Sequence, residues 1–258
     1  MSDIVTEVDE QGIAVITLNR PEKRNAVKFA MWGELADLFS SYGSDPAVRA
    51  VILTGAGGYF SAGADISEFS TVRTEGGTGD AYDDVGERCT RAIVDTPKPT
   101  IAAIEGFCVG GGLGLAVSCD FRIAKQGARF GIPAARLGIV YTALDTRVLM
   151  NVVGVTNAKR ILFTGAQFQA DQASELGLID ELVDIDALTA AREFAAQMAA
   201  NAPLSIAGAK QIVNAIAAGD EDADALSVEL SAKAKASDDY REGVAAFAEK
   251  RPAKFTGR

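Results

Sequence analysis

The stretch from Ile104 to Asp120 constrains this chain most tightly. An apolar run, Pro99-Thr100-Ile101-Ala102-Ala103, leads into it and is short enough for a buried strand. The stretch then changes character, with Gly110-Gly111-Gly112 followed by the apolar helical run of Leu113, Leu115, Ala116 and Val117. This pattern predicts a strand, a glycine loop and a helix start. The first N–H groups of a helix have no intrahelical acceptor and carry partial positive charge. Glycine has no Cβ to keep a ligand off the backbone. The expected consequence is a site for a negative oxygen, either a phosphate or an oxyanion formed during reaction. The alternative is a tightly packed strand-to-helix turn with no ligand.

Phosphate is the poorer fit. The dinucleotide fingerprint G-x-G-x-x-G fails because Val117 stands where its last glycine should be, and no Gly-Lys-Ser/Thr ends a phosphate loop. A second stretch, Gly58-Tyr59-Phe60-Ser61-Ala62-Gly63-Ala64-Asp65-Ile66, also follows an apolar run, Ala50-Val51-Ile52-Leu53-Thr54. It reads as a small-residue loop entering a helix with Asp65 near its start. Two such loops facing each other can supply one backbone donor each.

Histidine is absent from the 258 residues. That excludes Ser-His-Asp and Cys-His catalysis and counts against a zinc site; no metal is expected. Proton transfer must use carboxylate, tyrosine, lysine, cysteine or water. The three cysteines, an odd number, argue against a disulfide framework, and Cys108 and Cys119 read as core. The net charge of −10 argues against nucleic acid. No apolar run approaches the ~20 residues of a membrane span, and no signal peptide opens the chain. A cytoplasmic protein with no membrane partner is expected. Lys250, Arg251, Lys254 and Arg258 form a basic cluster near the end.

In chain order, Ile4 to Val8 and Ile13 to Leu18 read as a hairpin, and Val48 to Thr54 as the next strand. Between them Trp32, Leu35, Leu38, Phe39 and Tyr42 recur at helical spacing as a core-facing stripe. Ser70 to Asp84 has no period and reads as a mobile segment, a candidate lid, before a helix over Val85 to Val94. Leu144 to Val153 and Val155 to Phe163 read as two helices. From Asp184 onward helices dominate. A core over residues 1–183 and a helical region over residues 184–258 are expected, with the seam at Gly177 to Asp184.

Several of these segments together resemble the crotonase superfamily, the enoyl-CoA hydratases and isomerases, over nearly the whole chain. They are Asn19-Arg20-Pro21-Glu22-Lys23-Arg24-Asn25-Ala26, Phe60-Ser61-Ala62-Gly63-Ala64-Asp65-Ile66, Gly110-Gly111-Gly112, Cys119-Asp120 and the closing Glu249-Lys250-Arg251-Pro252 with Phe255. The resemblance implies an α/β fold, a spiral of strand-strand-helix repeats with a C-terminal helical trimerisation region, assembled as a homotrimer or dimer of trimers. It implies an acyl-CoA thioester as substrate, with coenzyme A entering as part of that substrate and no permanently bound cofactor. The thioester carbonyl would meet the N–H groups of Ala64 and Gly111. Arg24, Ala62, Ala64, Asp65 and Ile66 would contact coenzyme A, with Phe247 and Lys250 approaching its nucleotide end.

The sequence departs from this family at two positions. Its hydratases carry a glutamate three residues after the oxyanion glycine and another after the Phe-Gly-x-Pro turn; here those positions hold Gly114 and Ala134. Tyr141 falls where methylmalonyl-CoA decarboxylases of the superfamily carry a functional tyrosine, and packing at the pocket edge is its other reading. Asp145, one helical turn on, is a candidate base without a match among the family's catalytic aspartates. Asp65, Glu68 and Glu105 also read as caps or surface charges, and Arg136 as a solvated loop charge or a partner for an acyl carboxylate. An enzyme forming an enolate without the glutamate pair is expected, by decarboxylation, isomerisation or hydrolysis. The rival expectation is a non-catalytic acyl-CoA binder.

Overall fold

The computed structural model describes residues 2–68 and 78–258. Strand β1 (Ile4–Val8) pairs antiparallel with β2 (Ile13–Leu18), the expected hairpin. Helix α1 (Phe29–Ser44) then crosses to β3 (Ala50–Gly55), which lies parallel to β2. Strands β4 (Thr100–Ile104), β6 (Phe121–Lys125) and β9 (Glu181–Val183) extend the sheet in the order β1-β2-β3-β4-β6-β9. The residues of β4 are all buried, as the continuous apolar run of a parallel strand covered on both faces requires. A second sheet joins β5 (Phe107–Val109), β7 (Arg129–Gly131) and β8 (Gln167–Gln169). Because β5 follows β4 after one turn at Gly106, the chain passes directly from one sheet to the other just before the glycine loop.

The predicted stripe on α1 is buried as expected at Trp32, Leu35 and Phe39. Helix α2 (Thr78–Asp95) begins earlier than the sequence suggested. Residues 78–84 are helical, and Tyr82 is buried against α1, its hydroxyl accepting from Trp32 Nε1 at 3.0 Å. The rest of the expected mobile segment lies outside the described residues. The helix expected after Asp65 is represented among them by a 3-10 turn at Ile66–Glu68. The glycine stretch ends in α3 (Gly111–Ser118), and α4 spans Ala143–Thr164 with a break at Gly154 (φ 74°, ψ 166°), where the sequence placed a boundary.

After the short α5 (Ala170–Glu175), helix α6 (Ala187–Ala199) covers the other face of the large sheet. Its Ala187, Ala190, Ala191 and Ala195 pack on Ile13, Val15, Ile52, Ile101 and Ile123. Helices α7 (Pro203–Ala218), α8 (Ala223–Lys235) and α9 (Asp238–Glu249) follow. Lys210 Nζ pins α7 to the core through Asp120 Oδ2 at 2.8 Å and the carbonyl of Lys98 at 3.0 Å. Buried Asp239 holds the end of the chain, accepting from the amides of Thr256 (2.7 Å) and Gly257 (2.8 Å). Among the described residues no helix is long and apolar enough to cross a membrane.

Candidate active site

The two loops singled out in the sequence are hydrogen-bonded to each other. Ser61 donates its amide to the carbonyl of Phe107 (2.7 Å), and its own carbonyl accepts from Val109 (3.0 Å), so the first loop adds to the edge of β5. The amide of Phe60 is taken by Glu105, that of Ala62 by Arg24, that of Gly63 by Ser61 Oγ, and that of Asp65 by Val27. Ala64 interrupts this series: its N–H meets no acceptor among the described residues. Across the gap, Gly110 donates to the carbonyl of Gly131 and Gly114 to that of Gly110, while the N–H of Gly111, first residue of α3, meets none. Ala64 and Gly111 both line one cavity of about 230 Å³.

Glycine is required where the loops touch. Gly63 has φ +94°, and a Cβ there would lie 2.7 Å from the Val109 carbonyl oxygen and 3.0 Å from Gly111 N. At Gly112 a Cβ would lie 2.6 Å from the carbonyl oxygen of Ser61. The close approach is therefore a consequence of missing side chains, and it sets the two free amides side by side. Preorganised donors of this kind stabilise developing negative charge without reorganising at the moment of reaction.

The opposite wall is made of side chains. Gly114 and Ala134 line the cavity, and a Cβ built on Gly114 meets nothing within 4 Å. Tyr141 and Asp145 line it too, so the structure brings these two candidates together with both amides. Asp145 sits in the first turn of α4, where its N–H is capped by Thr142 Oγ1 at 3.2 Å. Its Oδ1 accepts from Thr90 Oγ1 at 2.9 Å. Burial raises its pKa above the ordinary carboxylate value; the Thr90 and Thr142 bonds oppose this, and Glu87 and Asp83 add to it.

Other expected residues are placed elsewhere. Ala62 and Ile66 line the cavity, but Asp65 does not. Its Oδ2 accepts from Arg20 at 2.9 Å and its Oδ1 from Ser67 at 2.7 Å. Arg24 packs its guanidinium over the Phe107 ring, 4.8 Å from the centroid. Glu68 caps α1 through the Phe29 amide, Glu105 pairs with Lys125, and Arg136 is exposed off the cavity wall. Phe247 and Lys250, at the exposed end of α9, are also outside the cavity. Arg251 of the basic cluster is bound by Glu242 and Glu249, which holds Glu242 down at about 2. Cys89, Cys108 and Cys119 are buried, their thiols pushed up by burial, that of Cys119 to about 12.

Sequence reasoning missed Thr90, because a threonine inside a helix gives no signal of a partner 55 positions away. Trp32 was read as core; it is 7% exposed, yet it also lines the cavity.

Comparison with known proteins identifies the family of the chain. The enoyl-CoA hydratase/isomerase family profile matches residues 8–258. The chain is 36% identical to the short-chain-enoyl-CoA hydratase of Clostridium acetobutylicum, over 97% of this chain and 96% of that one. It is 33% identical to the 1,2-epoxyphenylacetyl-CoA isomerase of Escherichia coli, over the full length of both. A crystal structure of an enoyl-CoA hydratase/isomerase family protein from Hyphomonas neptunium superposes with a TM-score of 0.94 at 41% identity, covering 100% of this chain and 98% of that one. The match spans both amide-bearing loops and all the described elements of the α/β fold: the chain belongs to the enoyl-CoA hydratase/isomerase family of the crotonase superfamily.

Proposed function

We propose that this protein binds an acyl-CoA thioester, holds its carbonyl oxygen between the N–H groups of Ala64 and Gly111, and stabilises the enolate formed there. The observation that carries this reading is the pair of neighbouring amides, Ala64 and Gly111, that meet no acceptor among the described residues and whose residues line one cavity. Loss of one donor of this kind typically costs ~3 kcal/mol of transition-state stabilisation. Coenzyme A enters with the substrate, along Ala62 and Ile66.

The same geometry argues against efficient hydration of a simple enoyl-CoA. Addition of water needs a group to position and deprotonate it and another to protonate the α carbon. Gly114 and Ala134 face the cavity and offer no carboxyl. The polar side chains left to carry chemistry on this wall include Tyr141 and Asp145. Calorimetry with butyryl-CoA against free butyrate tests the ligand class: the thioester binds and the free acid does not. A steady-state assay with crotonyl-CoA tests the chemistry, with hydration at least ~100-fold below that of a glutamate-bearing hydratase expected from the loss of acid-base groups. Fast hydration by the unmodified protein would overturn this part.

A homotrimer or dimer of trimers is the assembly we infer. Val213, Ile216, Val228, Val244 and Phe247 are more than half exposed on α7 to α9, and apolar surface concentrated in this way marks an interface. Light scattering at micromolar concentration should give three or six chains; a lone chain would remove the inference.

A further inference from the structure

We propose that Gly86 sets the width of the acyl group this cavity takes, and that with Gly114 it makes room for a branched or ring-bearing acyl group in preference to a straight chain. The proposal rests on the acyl-CoA reading above and concerns which acyl groups that site admits. Gly86 lies inside α2. Tyr82, Gly86 and Thr90 recur at every fourth position, so they share one face of that helix, and all three line the cavity. Tyr82 and Thr90 are buried, and Gly86 is the gap between them. Gly114 lies inside α3, one turn after Gly111, and lines the same cavity.

These two glycines differ from the others. Elsewhere among the described residues a glycine either has a positive φ or would bring a Cβ within 4 Å of another atom. Only Gly86 and Gly114 do neither, and both face one cavity. A glycine inside a helix is destabilising relative to alanine, because it loses more backbone freedom on folding. At Gly63 and Gly112 the close contact of two loops offsets that loss; at Gly86 and Gly114 no contact within the protein does, and the space itself is what they supply. Gly114 stands one turn from the Gly111 amide, so the cavity widens at the carbons nearest the thioester carbonyl. A straight acyl chain leaves these openings unfilled, and a void forfeits contacts on the atoms that line it. A ring or branch at the α or β carbon fills them, against the apolar side chains of Leu115, Ile139 and Trp32.

The test is calorimetry on the full-length protein with two saturated thioesters of equal acyl carbon number, cyclohexanecarbonyl-CoA and heptanoyl-CoA. The unmodified protein should bind the ring-bearing thioester at least ~10-fold more tightly, and Gly86→Leu should weaken that binding at least ~10-fold while shifting heptanoyl-CoA by less than about threefold. Gly86→Ala separates this role from a structural one. Its Cβ meets nothing within 4 Å, and alanine is the better helix former, so the melting midpoint should rise while the preference for the ring falls. A glycine kept for folding would give a lower midpoint. If Gly86→Leu fails to fold, Gly86→Ala decides. Equal binding of the two thioesters by the unmodified protein overturns the proposal, as does an unchanged preference in folded Gly86→Leu or a lowered midpoint in Gly86→Ala. Absence of binding to any CoA thioester overturns instead the acyl-CoA reading on which it rests.

Discussion

The two walls of the cavity are built on different principles. One wall is backbone: Ala64 and Gly111 offer amides, and the loops carrying them are locked by hydrogen bonds through Ser61, Val27 and Gly131. The other is side chain: Thr90, Ala134, Tyr141 and Asp145 project from α2, α4 and the turn between β7 and α4. On the backbone wall a side chain is an obstruction, as the 2.6 Å approach at Gly112 shows. On the other wall there is room, since a Cβ at Gly114 meets nothing. On the function proposed above, such a division would let the backbone wall stay fixed while residues on the other wall are exchanged.

The strongest way to test that division is to rebuild the second wall alone. Gly114→Glu with Ala134→Glu should raise crotonyl-CoA hydration by about 10²- to 10⁴-fold, the usual contribution of general acid-base groups, and either change alone should do less because both act on one water. No gain in a folded, thioester-binding double variant would mean that the walls are not independent.

The converse change on the backbone wall should damage the protein itself. Gly112→Ala forces a methyl group against the Ser61 carbonyl and Cβ. Denaturant unfolding should show a loss of about 3 kcal/mol, the upper range for an overpacked core. A loss within experimental error would show that the loops can part.

A smaller effect is expected at the support beneath the first loop. Arg20 is 7% exposed and bridges the Ala26 carbonyl and Asp65. Arg20→Leu leaves Asp65 without its cationic partner and should cost about 2 kcal/mol, less than a fully buried pair because some solvent reaches the carboxylate. The acid side of the stability curve should change too. The Ser67 hydrogen bond and, less strongly, Arg20 hold Asp65 below its ordinary value. Its stabilising contribution is therefore present above that value and disappears as pH falls through the lower, folded one. Arg20→Leu should narrow this window.

Asp145 has the opposite sign. Burial raises its pKa in the folded protein, so between the ordinary and the raised value the folded state binds more protons than the unfolded one. Stability falls as pH rises through that window, and above it the charged, buried Asp145 is a net cost. Asp145→Asn should therefore unfold at a slightly higher temperature than the unmodified protein at neutral pH, a gain that vanishes in acid. A stabilised but slowed variant would mark the side-chain wall as the place where stability was given up for chemistry.

Much of this was legible in the chain itself. The β1–β2 hairpin, the stripe on α1 and the break at Gly154 follow from local periodicity and turn chemistry, which a linear reading captures. The two glycine and small-residue loops after apolar strands are legible in the same way, but a packed turn with no ligand fits their sequence equally well. The absence of histidine and the identities of Gly114 and Ala134 are likewise read directly from the chain. What sequence could not determine was set by contacts between distant segments. Only the folded chain shows that the Ala64 amide meets no acceptor among the described residues while those of Phe60, Ser61, Ala62 and Asp65 are taken by Glu105, Phe107, Arg24 and Val27. Only the packing of α2 on α4 brings Thr90 to Asp145, and only burial there raises that carboxyl. Local sequence fixes the conformations a segment can adopt; desolvation and hydrogen-bond partnership are properties of the assembled interior, and they decide which groups remain free to react.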